Sequence, residues 1–149
     1  MSNLSTVNGV LIDIDGTVTD EPIEVQDGSA LAGMYRVVRC SYVERIAVMG
    51  VPGTDALSVD AWVDEEGIYT SVPNFVAQVV IKAMSGVDRG QIFGRVLLLA
   101  GDEMQGETAS LPGGVIELVR ELGQMALRSQ AVRQGCEAAI ARGVELGRL

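Results

Sequence analysis

The period of apolar and polar positions changes several times along the chain, and each change marks an element. Val10-Leu11-Ile12 with Ile14 is an apolar run rich in β-branched residues, and Thr17-Val18-Thr19 resumes strand formers after Asp15-Gly16. An Asp-Gly pair between two such runs signals a hairpin, because its turn positions take positive φ. Residues 9–25 are therefore expected as a β-hairpin. Ser29 is placed to cap a short helix with Leu31, Met34, Tyr35 and Val38 on one face. Val43 to Val48 reads as a strand and Val51-Pro52-Gly53-Thr54-Asp55 as a turn. Leu57 to Val63 alternates as a half-buried strand does, with Trp62 out of phase. After the turn Asp64-Glu65-Glu66-Gly67, Ile68-Tyr69-Thr70 is expected to resume a strand, with Trp62 and Tyr69 packing across it. Pro73-Asn74 opens a helix carrying Phe75, Val76, Val79, Val80 and Ala83. Phe93 to Ala100 is apolar enough for a central strand, and Gly101 to Ser110 reads as a polar loop.

From Pro112 onward the spacing alternates three and four, as a heptad seam does. Val115, Leu118, Leu122, Met125, Val132, Cys136 and Leu146 lie on that seam. One reading packs this long helix on its own sheet, and the other pairs it between subunits as a homo-oligomer. The fold class expected is α+β: an antiparallel or mixed sheet, flanking helices and a long C-terminal helix. The expected divisions are a lead-in over 1–8, the α+β domain over 9–122 and a helical extension over 123–149.

Composition narrows the chemistry. The chain has 149 residues, 20 carboxylates against 11 basic side chains, and a net charge of −9. Direct nucleic-acid binding is not expected, since it needs a basic face. There is no histidine, which removes Ser-His-Asp and Cys-His catalysis and imidazole proton shuttles. Cys40 and Cys136 form no CxxC and read as reduced thiols. The longest apolar stretch, Val96 to Ala100, is too short to span a bilayer. No targeting segment is visible in the first residues. A cytoplasmic protein without membrane contact is expected.

Leu11-Ile12-Asp13-Ile14-Asp15-Gly16-Thr17 resembles the first motif of haloacid-dehalogenase-like phosphatases. By that resemblance Asp13 would be the nucleophile and Asp15 the acid and base, with Lys82 facing phosphate. Asp102 with Glu103 would hold magnesium, the one cofactor any reading of this sequence invokes. The chain departs from the pattern where no Ser or Thr closes the strand ending Val48-Met49-Gly50-Val51.

A longer resemblance runs over residues 9–122. Its steps are Asp15-Gly16, Glu44, Val63-Asp64-Glu65-Glu66-Gly67, Val72-Pro73-Asn74 with Ala77, Ile92-Phe93-Gly94 to Gly101, and Asp102 with Gly106-Glu107-Thr108 and Ser110-Leu111-Pro112. In this order they resemble a small family of unknown function found in actinobacterial and firmicute genomes, phages and plasmids. The resemblance implies a compact α+β domain and a mobile-element setting, and no reaction. Asp64-Glu65-Glu66 and the loop of Asp102, Glu103 and Glu107 read as solvated turns.

Three functions follow as expectations. The favoured one is an acidic accessory protein that binds a protein partner, with counter-defence or DNA mimicry as a concrete version. Asp13, Asp15, Asp20, Glu21, Glu24 and Asp27 would then form one acidic face. The second is the magnesium phosphatase. The third is a small-ligand sponge for a nucleotide, which needs Arg36, Arg39, Arg45 or Arg95 to converge.

Overall fold

Five consecutive apolar residues, Val96 to Ala100, need cover on both faces, and they sit in the middle of a sheet. The computed structural model describes residues 4–149. Its strands are β1 (Leu4–Ile12), β2 (Val18–Gln26), β3 (Val43–Gly50), β4 (Leu57–Asp64), β5 (Val96–Asp102) and β6 (Glu107–Ala109). Its helices are α1 (Leu31–Val38), α2 (Gly67–Thr70), α3 (Phe75–Ser85), α4 (Gly113–Leu127) and α5 (Gln130–Leu146). The sheet order is β2-β1-β5-β4-β3 with β6 also on β5, and every pairing is antiparallel. The fold is thus α+β. None of the described helices is long and apolar enough to cross a membrane.

Alternation of side chains along the strands gives two apolar layers. On one face Val10, Ile12, Val59, Ala61, Val96 and Leu98 meet α3, α4 and α5 through Val76, Val80, Val119 and Cys136. On the other, Leu11, Ile23, Leu97 and Leu99 meet α1 through Met34, Val37 and Val38. Trp62 shares this second face, half-buried, which accounts for its offset in the strand pattern.

The hairpin forms, with a five-residue loop over 13–17 in place of a two-residue turn. Asp13 N–H donates to Thr17 O and Gly16 N–H to Asp13 O, both at 3.0 Å. β1 begins at Leu4 and pairs with β2 from that residue, so 4–8 is strand rather than lead-in. Residues 1–3 of that lead-in lie outside the described residues. β2 is an edge strand, where Pro22 can sit without removing a ladder donor.

Three elements differ from expectation. Ile68-Tyr69-Thr70 is helical, because Asp64 winds the segment up: its Oδ1 accepts from Glu66 N at 2.9 Å and its Oδ2 from Thr70 Oγ1 at 2.7 Å. Tyr69 is exposed and does not pack across the sheet from Trp62. Glu107–Ala109 is a strand, taking the edge of β5 that β1 leaves beyond the Val10–Leu98 pair. The C-terminal helix is two helices. Ser129 is extended and its Oγ accepts from Val132 N at 3.3 Å, so it caps a new helix and interrupts the seam. Val115 and Cys136 are buried in the chain's own core, Leu122 and Val132 are half-buried against it, and Leu118, Met125 and Leu146 are exposed. The seam is therefore not one continuous stripe. α4 also runs across the expected boundary at 122/123, so the extension is part of the packed body.

Candidate functional site

Asn74 explains why one end of the sheet is a well-formed site. It follows Pro73 and caps α3, its Oδ1 accepting from Ala77 N at 3.0 Å. Its side chain is fully buried, and Nδ2 donates to Ile12 O at 3.0 Å and Gly94 O at 2.9 Å. Ile12 immediately precedes Asp13, and Gly94 immediately precedes Arg95. One amide thus sets the spacing of two chain segments whose next residues form an ion pair, Arg95 Nε to Asp13 Oδ2 at 3.5 Å.

A cavity of about 290 Å³ opens beside that pair. Its polar lining includes Asp13, Asp15, Asp64, Arg39, Arg95 and Arg148, and its apolar wall is Ile14, Val38, Ile140 and Leu149. Arg39 arrives from the C-cap of α1 at φ 62. A non-glycine residue there costs about 1–2 kcal/mol of backbone energy, so glycine would be the easier occupant. Arg148 arrives from beyond α5. Gly147, at φ 68, reverses the chain, and Arg148 N donates to Gly143 O at 2.8 Å.

The carboxylates of this cleft are occupied locally. Asp13 Oδ1 accepts from Ile14 N at 2.7 Å, and Asp15 Oδ1 accepts from Thr17 N and Oγ1 at 2.9 and 2.7 Å. Asp64 is bound within its own turn as described above. The arginines are not so occupied. Among the described residues Arg39 makes no side-chain hydrogen bond or ion pair. Arg95 Nε is buried without a hydrogen bond, and Arg148 Nη1 reaches only Ser71 O at 3.3 Å and Ile68 O at 3.5 Å. Each guanidinium carries five donors, and among the described residues most of those on Arg39, Arg95 and Arg148 meet no acceptor. Cys40 follows Arg39, and burial, with Asp64 adding to it, pushes its thiol up to about 11. A thiol so placed is protonated at neutral pH and no nucleophile. Burial likewise pushes the Cys136 thiol up.

The phosphatase set is not brought together. Val96 pairs with Ile12, so Asp102 lies six residues along β5 from the Asp13 end, about 20 Å at strand rise. Lys82 is exposed on α3, eight residues or about 12 Å along the helix from Asn74. The all-antiparallel sheet also differs from the parallel sheet of βα units that this resemblance implies. Among the described residues no cluster of Cys, Asp and Glu is arranged to hold a metal.

The six N-terminal carboxylates do not share a face. Asp20 and Glu24 alternate with Glu21 across β2, and Asp27 lies beyond the opposite end of that strand from Asp15. Asp13 is paired with Arg95, and Asp20 with Arg120 of α4. Of the four arginines named from sequence, Arg39 and Arg95 meet in the cleft. Arg36 borders a depression beside Glu24 instead. Arg45 lies 3.7 Å from Asp60 in a separate groove on the face of Trp62. Sequence reasoning missed Arg148, Asp60 and the Asn74 amide bridge. Only the Pro-Asn step at 73–74 carried a local signal.

Asp60 is the buried charge of that groove, 3% exposed, and Ser58 Oγ contacts it at 3.3–3.4 Å. Burial raises its carboxyl above 3.8, against the opposing pull of Arg45 and Ser58. The folded state therefore holds the proton more tightly than the unfolded chain, and ionisation of Asp60 on raising the pH costs stability. Asp60→Asn is expected to stabilise the protein by about 1 kcal/mol at neutral pH. That gain should fade as the pH falls through the raised pKa toward 3.8. Urea unfolding of both proteins from pH 3 to 8 measures it. A gain that persists at the acid end would refute the assignment.

A family described as a domain of unknown function (DUF3846) matches residues 8–124. The match includes the ordered steps from Asp15-Gly16 to Leu111-Pro112. No curated protein and no solved structure matches the chain.

Proposed function

The chain belongs to the DUF3846 family, whose description carries no activity, and we propose from the cleft that it is a binding protein for a small anion. The observation that carries this reading is the imbalance at the sheet end. Arg39, Arg95 and Arg148 come from three separate elements to one cavity, with donors unused, while Asp15 and Asp64 are held within their own loops and Asp13 is shared between its loop and Arg95. A ligand rich in acceptor oxygens completes such a site through charge-assisted hydrogen bonds. The cavity, about 290 Å³, is of small-molecule size. Its apolar wall of Ile14, Val38, Ile140 and Leu149 suits the carbon body of that ligand.

Titration calorimetry with phenyl phosphate, orthophosphate and benzoate tests the proposal. At least one of these anions is expected to bind the wild type, and Arg95→Gln to weaken it about tenfold or more. Arg142→Gln, which alters only an exposed pair with Glu145, should leave the affinity unchanged. Equal affinities in the Arg95 variant and the wild type would refute the site.

A further inference from the structure

Ser58, Asp60 and Trp62 alternate along β4 onto the face of the sheet that α1 covers. Trp62 packs against the α1 layer, beside Leu97 of β5. Further along β5 the same face passes from Leu99 to Gly101, which has no side chain. A groove of about 290 Å³ opens there, over Asp60, Trp62 and Gly101. Gly101 is six residues beyond Arg95, about 20 Å at strand rise, so the groove is separate from the anion cleft.

Asp60 is held in this groove without an adequate partner. Its side chain is 4% exposed. Ser58 Oγ lies 3.4 and 3.3 Å from its two oxygens, beyond the roughly 2.5–3.0 Å of a good hydroxyl hydrogen bond. That hydroxyl has one proton, and Gly101 O also faces it at 3.5 Å. Arg45 Nη1 is 3.7 Å away, on a residue exposed to solvent. A Cβ on residue 101 would come within 2.6 Å of Asp60 Oδ2, so glycine is what leaves room for the carboxylate. Buried carboxylates are ordinarily paired and well hydrogen-bonded. The groove is also acidic once every lining charge is counted. Asp60, Asp102, Glu103 and Glu107 are negative, and Arg45 is positive. Among the described residues, Asp102 accepts only from Met104 N and Gln105 N, which are neutral, and the side chains of Glu103 and Glu107 form no hydrogen bond or ion pair. Three negative charges are left in excess.

We propose that this groove binds a primary alkylammonium ion, with its head on Asp60 and its methylene stem along Trp62. An ammonium carries three donors and no acceptor. It supplies the charge-assisted hydrogen bonds that Asp60 lacks, and the Ser58 hydroxyl oxygen stands beside them. The indole gives the stem an apolar surface, and its ring face attracts a cation. A divalent metal needs several oxygens converging on one point. Among the described residues no three carboxylates converge in that way. A single buried carboxylate suits an ammonium instead, and Glu103 and Glu107 add to the attraction from the same groove.

Trp62 is the chain's one tryptophan, so its fluorescence reports on this groove alone. Titration of 1,5-diaminopentane at neutral pH, in about 0.1 M salt to screen exposed charges, is expected to change that fluorescence to saturation. Calorimetry gives the affinity. Nα-acetyl-lysine methylamide presents the same head as a protein side chain would, and the tighter of the two amines identifies the source. Asp60→Asn should weaken the diamine about tenfold or more. That variant is expected to be at least as stable as the wild type, and its melting curve checks that it folds. Trp62→Phe, read by calorimetry, should weaken binding about threefold. Tetramethylammonium, a cation without N–H donors, and magnesium chloride should each bind about tenfold more weakly than the diamine. Glu137→Gln removes the same charge from an exposed position on α5 and should leave the affinity unchanged. Equal affinity in Asp60→Asn and the wild type overturns the proposal. Weakening by Glu137→Gln as large as that by Asp60→Asn also overturns it, since attraction to the whole acidic surface then explains the binding. So does tetramethylammonium or magnesium binding as tightly as the diamine, or the absence of saturable binding by either amine.

Discussion

Asn74→Asp is expected to destabilise the protein more than Asn74→Ala, although Asp is the better helix cap. The alanine variant loses the acceptor for Ala77 N and leaves Ile12 O and Gly94 O without their donor in a fully buried place. A lost cap costs about 1 kcal/mol and each buried carbonyl left without a partner about 1 kcal/mol or more, so about 3 kcal/mol is expected. At this chain length that lowers the melting temperature by about 10 °C. The aspartate variant keeps the cap but turns a carboxylate oxygen toward those two carbonyls, and a buried charge without a donor costs more, about 4 kcal/mol. Denaturant unfolding of both variants measures the order. If the aspartate protein proves the more stable, capping dominates and the bridge between Ile12 and Gly94 is unimportant. Both variants should also weaken anion binding, since the bridge positions Asp13 and Arg95.

Gly9→Ala is the second large effect. A Cβ at residue 9 would lie 2.6 Å from the carbonyl oxygen of Leu98 and 2.7 Å from Leu99 Cδ2. Leu99 can turn aside, but Leu98 O belongs to the central strand backbone and cannot. The two strands must part where Val10 pairs with Leu98, which disturbs a layer that includes the fully buried Val10, Ile12 and Leu98. Overpacking of this kind costs about 1–3 kcal/mol, and the upper end applies where backbone must move. A melting temperature lowered by about 6–10 °C is expected. Gly28→Ala, at a position with open space around it, controls for the loss of a glycine, although its φ of 82 adds local strain. A Gly9 variant within a degree or two of wild type would contradict the close approach.

Much of the architecture was legible because it depends on neighbours in sequence. The apolar run at Val96–Ala100 required a strand covered on both faces, and it is the centre of the sheet. Asp15-Gly16 placed the hairpin, and Pro73-Asn74 the start of α3. The alternation over Leu57–Val63 gave the right strand, and the apparent misfit of Trp62 was a second buried face. The ordered short motifs pointed to a family of unknown function, and the family match covers them.

The cleft was legible only in pieces. Asp13 and Asp15 stood out by their motif, but the partner of Asp13 is Arg95, eighty-two positions later, Asp15 is bound to Thr17, and neither meets Lys82 or Asp102. Which residues share an end of an antiparallel sheet depends on strand order and register, and neither is written in local periodicity. The same holds for Gly9, whose constraint is the distance to another strand. It holds for Ile68-Tyr69-Thr70 as well, whose β propensity yields to the hydrogen bonds of Asp64. Arg148 is the clearest case. A helix-ending glycine announces that the chain turns, but the direction of the turn and the cavity it meets follow from how α5 packs across α3. Propensity and period are properties of a segment and can be read along a line. A binding site is a coincidence of distant segments in space, and packing creates it.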